Sequence, residues 1–253
     1  MTGAPNSRDD LVALVHEREP ELVRRAAADR RLTEDLALTL LERRDLPHLA
    51  IEDLSRNGAV MKHRKVLNAL VVHPRTPRHV SLPIIRRLYT FELMQIGLLP
   101  TAASDLKMFA EEQLINRMES VSTGERLTLA KRGSTRIAAA LLIDPERRVI
   151  EAALENPFLT EVWIVKAILR DEAPQPLIES VCHHRKWSVR QEVRVALLKN
   201  EFTPMARAVE FAGHMSSFTL REVLRTSRLP ENVKAYLQHL LQERSQKSAA
   251  SNQ

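Results

Sequence analysis

Between residues 144 and 204 the chain never runs far without a group suited to opening a helix: Asp144 before Pro145, Thr160, Ala173 before Pro174, Ser188, and Thr203 before Pro204. A hydroxyl or carboxylate accepts from the free N–H groups of a first helical turn, and a proline there loses no bond that the turn would have made. The Ser188–Gln191 spacing further predicts a capping box, as do Ser122 with Glu125 and Thr219 with Glu222. Across the chain such starts fall at 9, 20, 33, 47, 60, 76, 90, 104, 122, 134, 144, 160, 173, 188, 203, 219 and 230, about 14 residues apart, which suits a short helix plus a turn. Helices of about ten residues are unstable alone in water, because nucleation is costly and few backbone bonds repay it. They must stack on one another.

The composition agrees with an all-α class. Aromatic residues make up 4% of the 253, and no β-branched alternation persists beyond a few positions. Only 6 glycines are present, too few for the glycine-rich loops that cradle phosphates. The single cysteine, Cys182, rules out an internal disulfide and a cysteine-rich metal cluster and suits a reducing compartment, so a cytoplasmic location is expected. The polar start MTGAPNSRDD lacks the basic and apolar regions of a signal peptide, and the longest uncharged run, 93–104, is too short to cross a bilayer. Neither export nor a membrane partner is expected.

Residues 1–8 read as a flexible N-terminus, 9–244 as one helical array with a joint near 90–104 where Gly97 and Pro100 break the pattern, and 245–253 as a disordered tail. Asn57-Gly58 is expected to stop a helix in the left-handed conformation, and Gly133 and Gly213 to end two more. Val149, Ala153, Leu154, Val193, Ala196 and Leu197 recur at spacings of three and four and are the expected core face.

Repetition of this kind is the signature of a solenoid. With VIEAALENPFLTEVWIV, KVLNALVVHPRTPRHV and SVRQEVRVALLKNEFTP in view, the chain resembles the HEAT-like α-solenoids, and among them the leucine-rich repeat variant group. The matching residues are Val189, Arg190, Val195, Ala196, Asn200, Thr203 and Pro204 in one copy and Val149, Ala153, Asn156, Pro157 and Thr160 in another. A partial copy holds Val66, His73, Pro74, Thr76 and Pro77. The resemblance implies a right-handed superhelical solenoid of short stacked helices and carries no catalytic residues. Some members of the group resemble iron–sulfur proteins through a cysteine cluster, which this chain lacks.

The net charge of +6 is concentrated. Between Ser55 and Phe91 no acidic residue occurs, and Lys62, Arg64, Lys65, Arg75, Arg78, Arg86 and Arg87 are candidates for a basic ridge that binds phosphates. The competing reading is a solvated face or one that meets an acidic partner. Trp187 is a candidate exposed aromatic anchor, with packing as the favoured reading, and Trp163 reads as core. Cys182, His183 and His184 are consecutive, so on a helix they point about 100° apart and cannot easily converge on one ion; no metal site is expected.

No zinc-protease, nucleophile-elbow, Walker or dinucleotide motif is present, and the acidic pairs Glu111-Glu112 and Asp171-Glu172 sit in charged helix faces. The expectation is a non-catalytic scaffold that binds a protein partner and needs no cofactor. A nucleic-acid-binding repeat protein using 55–91 is the alternative, and an enzyme resembling the HEAT-type DNA glycosylases is a third class.

Overall fold

Helices begin where the sequence is punctuated for them. The structure, a computed structural model, describes residues 8–250, with side chains described for 10–246; of the expected ends 1–8 and 245–253, residues 1–7 and 251–253 lie outside the described residues. Among the described residues there are 17 α-helices, each starting within four residues of an expected start, two short 3-10 turns and no strand. The chain divides between Ser120 and Val121 into two compact units, while the helices Thr90–Leu98 and Ser104–Asn116, on either side of the 99–103 turn, pack on each other.

The first unit holds α1 (Arg8–His16), α2 (Pro20–Ala28), α3 (Glu34–Glu42), α4 (His48–Arg56), α5 (Arg64–Val72), α6 (Arg78–Ile85), α7 (Thr90–Leu98) and α8 (Ser104–Asn116). The second holds α9 (Thr123–Arg132), α10 (Thr135–Ala140), α11 (Arg147–Leu154), α12 (Glu161–Ile168), α13 (Gln175–His183), α14 (Gln191–Leu197), α15 (Met205–Gly213), α16 (Ser217–Arg225) and α17 (Glu231–Ala250). The last helix therefore runs past 244, where a disordered tail was expected to begin. No helix among the described residues is long and apolar enough to cross a membrane.

Within each unit, helices two apart in sequence lie side by side: α1 with α3, α2 with α4, α3 with α5 and α6 with α8, then α9 with α11, α10 with α12, α11 with α13 and α12 with α14. Odd and even helices thus form two rows with a shared apolar core. All six expected core positions, Val149, Ala153, Leu154, Val193, Ala196 and Leu197, are buried.

The rows are tied by a recurring polar bond. A helix leaves its last carbonyls without intrahelical partners, and here a side chain at or near the end of the helix two further on supplies the donor. Asn57 Nδ2, after α4, donates to the carbonyls of Ala27 and Asp29 at the end of α2, at 2.9 and 2.8 Å. Arg43 donates to the carbonyls of Val15, in the last turn of α1, and Glu17, just past it. His73 Nδ1 accepts the Arg75 N–H, which leaves the proton on Nε2 to donate to the Arg43 carbonyl at 3.0 Å. In the second unit Asn156 reaches Ala130 and Gly133, Asn200 reaches Ile168, and Ser227 reaches Leu198. Each Asn also accepts the N–H two residues on, Ala59, Phe158 or Phe202, which turns the chain toward its next helix.

Three residues after this position the loop drops a side chain into the core: Leu46, Val60, Leu159 and Trp187, or Thr76 and Thr203, whose hydroxyls donate to the Leu70 and Leu197 carbonyls. The bond, the turn and the buried loop residue are the physical content of the motif shared by His73 to Thr76, Asn156 to Leu159 and Asn200 to Thr203.

Several boundary devices differ from expectation. Gly58 is not left-handed, since no described residue has positive φ; the helix ends at Asn57, whose backbone is extended and whose N–H goes to the Leu54 carbonyl. Ser188 does not cap α14. It is buried beside Trp187, its N–H goes to the His184 carbonyl, and the helix opens at Gln191 after Arg190. Thr219 does not cap α16 because Ser216 does, accepting the Thr219 N–H at 3.1 Å. The Ser122–Glu125 box forms as read.

Candidate functional site

The basic run is divided by the fold. α5 and α6 are antiparallel across a short turn, so the start of α5 meets the end of α6, and Arg64 Nη1 donates to the Arg87 carbonyl at 3.2 Å. Lys62, Arg64, Lys65, Arg86 and Arg87 therefore gather at one edge of the first unit. Arg75 and Arg78 lie at the opposite edge, so the seven candidates do not form one ridge.

Acidic groups from outside the run compensate part of it. Arg64 is held by Glu92, its Nε 3.1 Å from Oε1 and its Nη2 in a second short contact, and its guanidinium lies 3.7 Å over the Tyr89 ring. Burial works to raise the Glu92 pKa, but bonds from Arg64, the Tyr89 N–H and Asn68 outweigh it and hold the carboxyl below its ordinary value. Arg78 makes a two-pronged pair with Asp105, with Nε–Oδ2 at 2.6 Å, and Arg75 donates to the Asp45 carbonyl at 2.8 Å. Lys62, Lys65 and Arg87 are exposed with no acidic partner among the described residues, and exposed Arg86 lies 5.8 Å over the Phe109 ring.

Beside this edge, α4 and α6 leave a cleft of about 270 Å3 between them. Met61, Val80, Pro83 and Ile84 give it an apolar floor, Arg56 and Arg87 stand at the end near the basic edge, and Glu52 and His79, 3.5 Å apart, occupy the rest of its wall. Arg56 is partly engaged by Glu52 at 3.4 Å, an exposed pair of small energetic weight. Pro83 sits inside α6 and has no N–H, so the His79 carbonyl lacks its helical partner one turn back. His79, Pro83 and Arg87 recur every four residues on one face, a pattern visible in the sequence. That α4 supplies the facing wall was not.

The second unit has a cleft of about 350 Å3 beside α11 and α13 whose charges largely compensate one another. Arg147 pairs with Glu151 and Glu179, and His184 Nε2 is 3.2 Å from Glu155, within ion-pair range though not aligned for a hydrogen bond. The histidines face different partners: His183 Nδ1 lies 2.8 Å from the Glu179 carbonyl, and His184 Nδ1 accepts the Lys186 N–H. Between them and the core, burial pushes the Cys182 thiol up to about 12, so it is neutral at physiological pH.

Trp187 is packed and is not an exposed anchor: it is 2% exposed, its indole N–H donates to the Leu154 carbonyl at 2.8 Å, and Lys186 lies over the ring. It fills the buried loop position described above, so its ring is not presented to a partner. Trp163 is half-buried, with Lys166 5.1 Å over its ring. Of the acidic pairs, Glu111 is buried and Asp171 pairs with Arg228. Compared with known protein families, curated proteins and solved structures, the chain matches none.

Proposed function

We propose that the chain is a non-catalytic protein-binding module in which each unit is a short segment of HEAT-like α-solenoid of the leucine-rich repeat variant type. The solenoid reading is supported by the two-row packing and by side-chain-to-carbonyl bonds that span 23 to 32 residues, from Asn156 to Gly133 at the short end to Asn200 to Ile168 at the long. The observation that carries the binding role is the pairing of unneutralised cations at one edge of the first unit with an apolar cleft beside it. Such a surface offers both a desolvated contact and charge selection, the combination found at protein interfaces.

Nucleic-acid binding is the second reading, favoured by Lys62, Lys65, Arg86 and Arg87 at the shared edge. The tethering of Arg64, Arg75 and Arg78 weighs against it, as does Glu52 within the cleft. Filter binding over a salt series separates the two. The protein-binding reading expects no appreciable oligonucleotide affinity near physiological salt and recovery of a defined protein that survives moderate ionic strength. A log–log salt slope of about 3 to 4 on duplex DNA, one phosphate contact for each unpaired cation, establishes the second reading and removes the first.

A further inference from the structure

We infer that the cleft between α4 and α6 binds an acidic peptide segment of a partner protein, seating one aliphatic side chain on the Pro83 floor with neighbouring carboxylates at Arg87. This inference rests on the protein-binding reading and specifies its ligand.

The cleft's dimensions select the occupant. At about 270 Å3 it falls below the usual ~300–1,000 Å3 range of small-molecule pockets, and it is open along one side, so it suits a side chain of a passing chain better than a whole small ligand. Met61, Val80, Pro83 and Ile84 supply contact for an aliphatic group. The His79 carbonyl, left without its helical donor by Pro83, is an acceptor for a peptide N–H.

The charges select the flanks. Arg87 has no acidic partner, and Lys62, Lys65 and Arg86 extend the positive field beyond the end of the cleft. Guanidinium groups meet carboxylates in charge-assisted, often two-pronged bonds. Glu52 on the opposite wall repels a second anion, so the carboxylates belong on the Arg87 side of the anchor. A phosphodiester chain would bring a charge at every residue and nothing for the apolar floor.

Fluorescence anisotropy with the full chain tests this. The probes are a labelled peptide with one leucine flanked by glutamates, the same peptide with alanine in place of leucine, and a labelled oligouridylate. The leucine peptide should bind, the alanine peptide about tenfold more weakly, and Arg87→Glu should weaken the leucine peptide by about tenfold or more. Pro83→Glu should abolish leucine-dependent binding while leaving folding intact, because a non-proline residue regains a helical hydrogen bond. Arg75→Ala, at the opposite edge, should change nothing. If the leucine peptide binds wild type and both cleft variants equally, the cleft is not the site, and the protein-binding reading stands without it. If no peptide binds while a partner protein is still captured, the inference fails alone. If oligouridylate binds and displaces the peptide, and Arg87→Glu weakens both, the edge is a phosphate site and both readings fall.

Discussion

Asn156 bears the sharpest test of how the rows are held. Its side chain is 1% exposed and makes three bonds: Nδ2 donates to the Ala130 and Gly133 carbonyls at 2.7 and 3.0 Å, and Oδ1 accepts the Phe158 N–H at 2.8 Å. Asn156→Ala deserts all three. A buried group left unsatisfied costs about 1–3 kcal/mol, and a carbonyl tolerates the loss better than an N–H, so the sum is about 2–4 kcal/mol. Asn156→Asp has nearly the same shape and keeps the bond from Phe158, but it turns a carboxylate oxygen toward two carbonyl oxygens. It should therefore be at least as destabilising as alanine near neutral pH. Burial and the facing carbonyls raise the folded-state pKa of such an acid. Its penalty is full above that value and relieved as pH falls through it, when the protonated oxygen can donate once. Urea unfolding followed by tryptophan fluorescence is the assay, because both tryptophans, Trp163 and Trp187, lie in the second unit with Asn156. Aspartate should gain on alanine between about pH 7 and about pH 4. An alanine cost under about 1 kcal/mol, or no gain by aspartate on acidification, refutes the claim that these bonds tie α11 to α9.

Three further outcomes are expected. Leu197→Ala, at a fully buried position, should cost about 2–5 kcal/mol by the same fluorescence assay, and a neutral result would remove that face from the core. Gly133→Ala should cost about 1–3 kcal/mol, because a Cβ there would lie 2.5 Å from the Leu129 carbonyl and 2.8 Å from Ile137 Cγ2; a silent substitution would contradict so close an approach. Glu92, held below its ordinary value of 4.5, contributes stability that is full above that value and lost as pH falls through the folded-state pKa. Glu92→Gln should be less stable than wild type at about pH 7 and close the gap by about pH 3, as followed by circular dichroism, and a pH-independent difference would refute the linkage.

The helices were legible because capping is local chemistry: a hydroxyl, carboxylate or proline acts on the backbone within three residues, wherever the helix later packs. α5 shows the limit. Its start was expected at 60 and falls at Arg64, because Asn57 spends its side chain on α2 and Val60 is drawn into the core before the helix opens. For Trp187 packing was the favoured reading, but its partner was not legible, because the carbonyl that the indole N–H meets belongs to α11. The basic run misled further. Members of one basic run, Arg75 and Arg87 sit at opposite edges because α6 lies between them, and the acids that neutralise Arg64 and Arg78, Glu92 and Asp105, come from helices later in the chain. The cleft required knowing that α4 and α6 share a row, which no local pattern states.

The side-chain bonds that join each helix end to the helix two further on impose a rule of parity. Excising two consecutive helices with their turns brings like ends together, and the bond of the Asn57 or Asn200 kind can form again across the seam. Excising one shifts every later helix of that unit into the other row, reverses its direction, and presents its solvent face to the core. Such arrays can lengthen or shorten by pairs alone, and the increment available to them is about thirty residues, twice the unit that the punctuation of the sequence suggests.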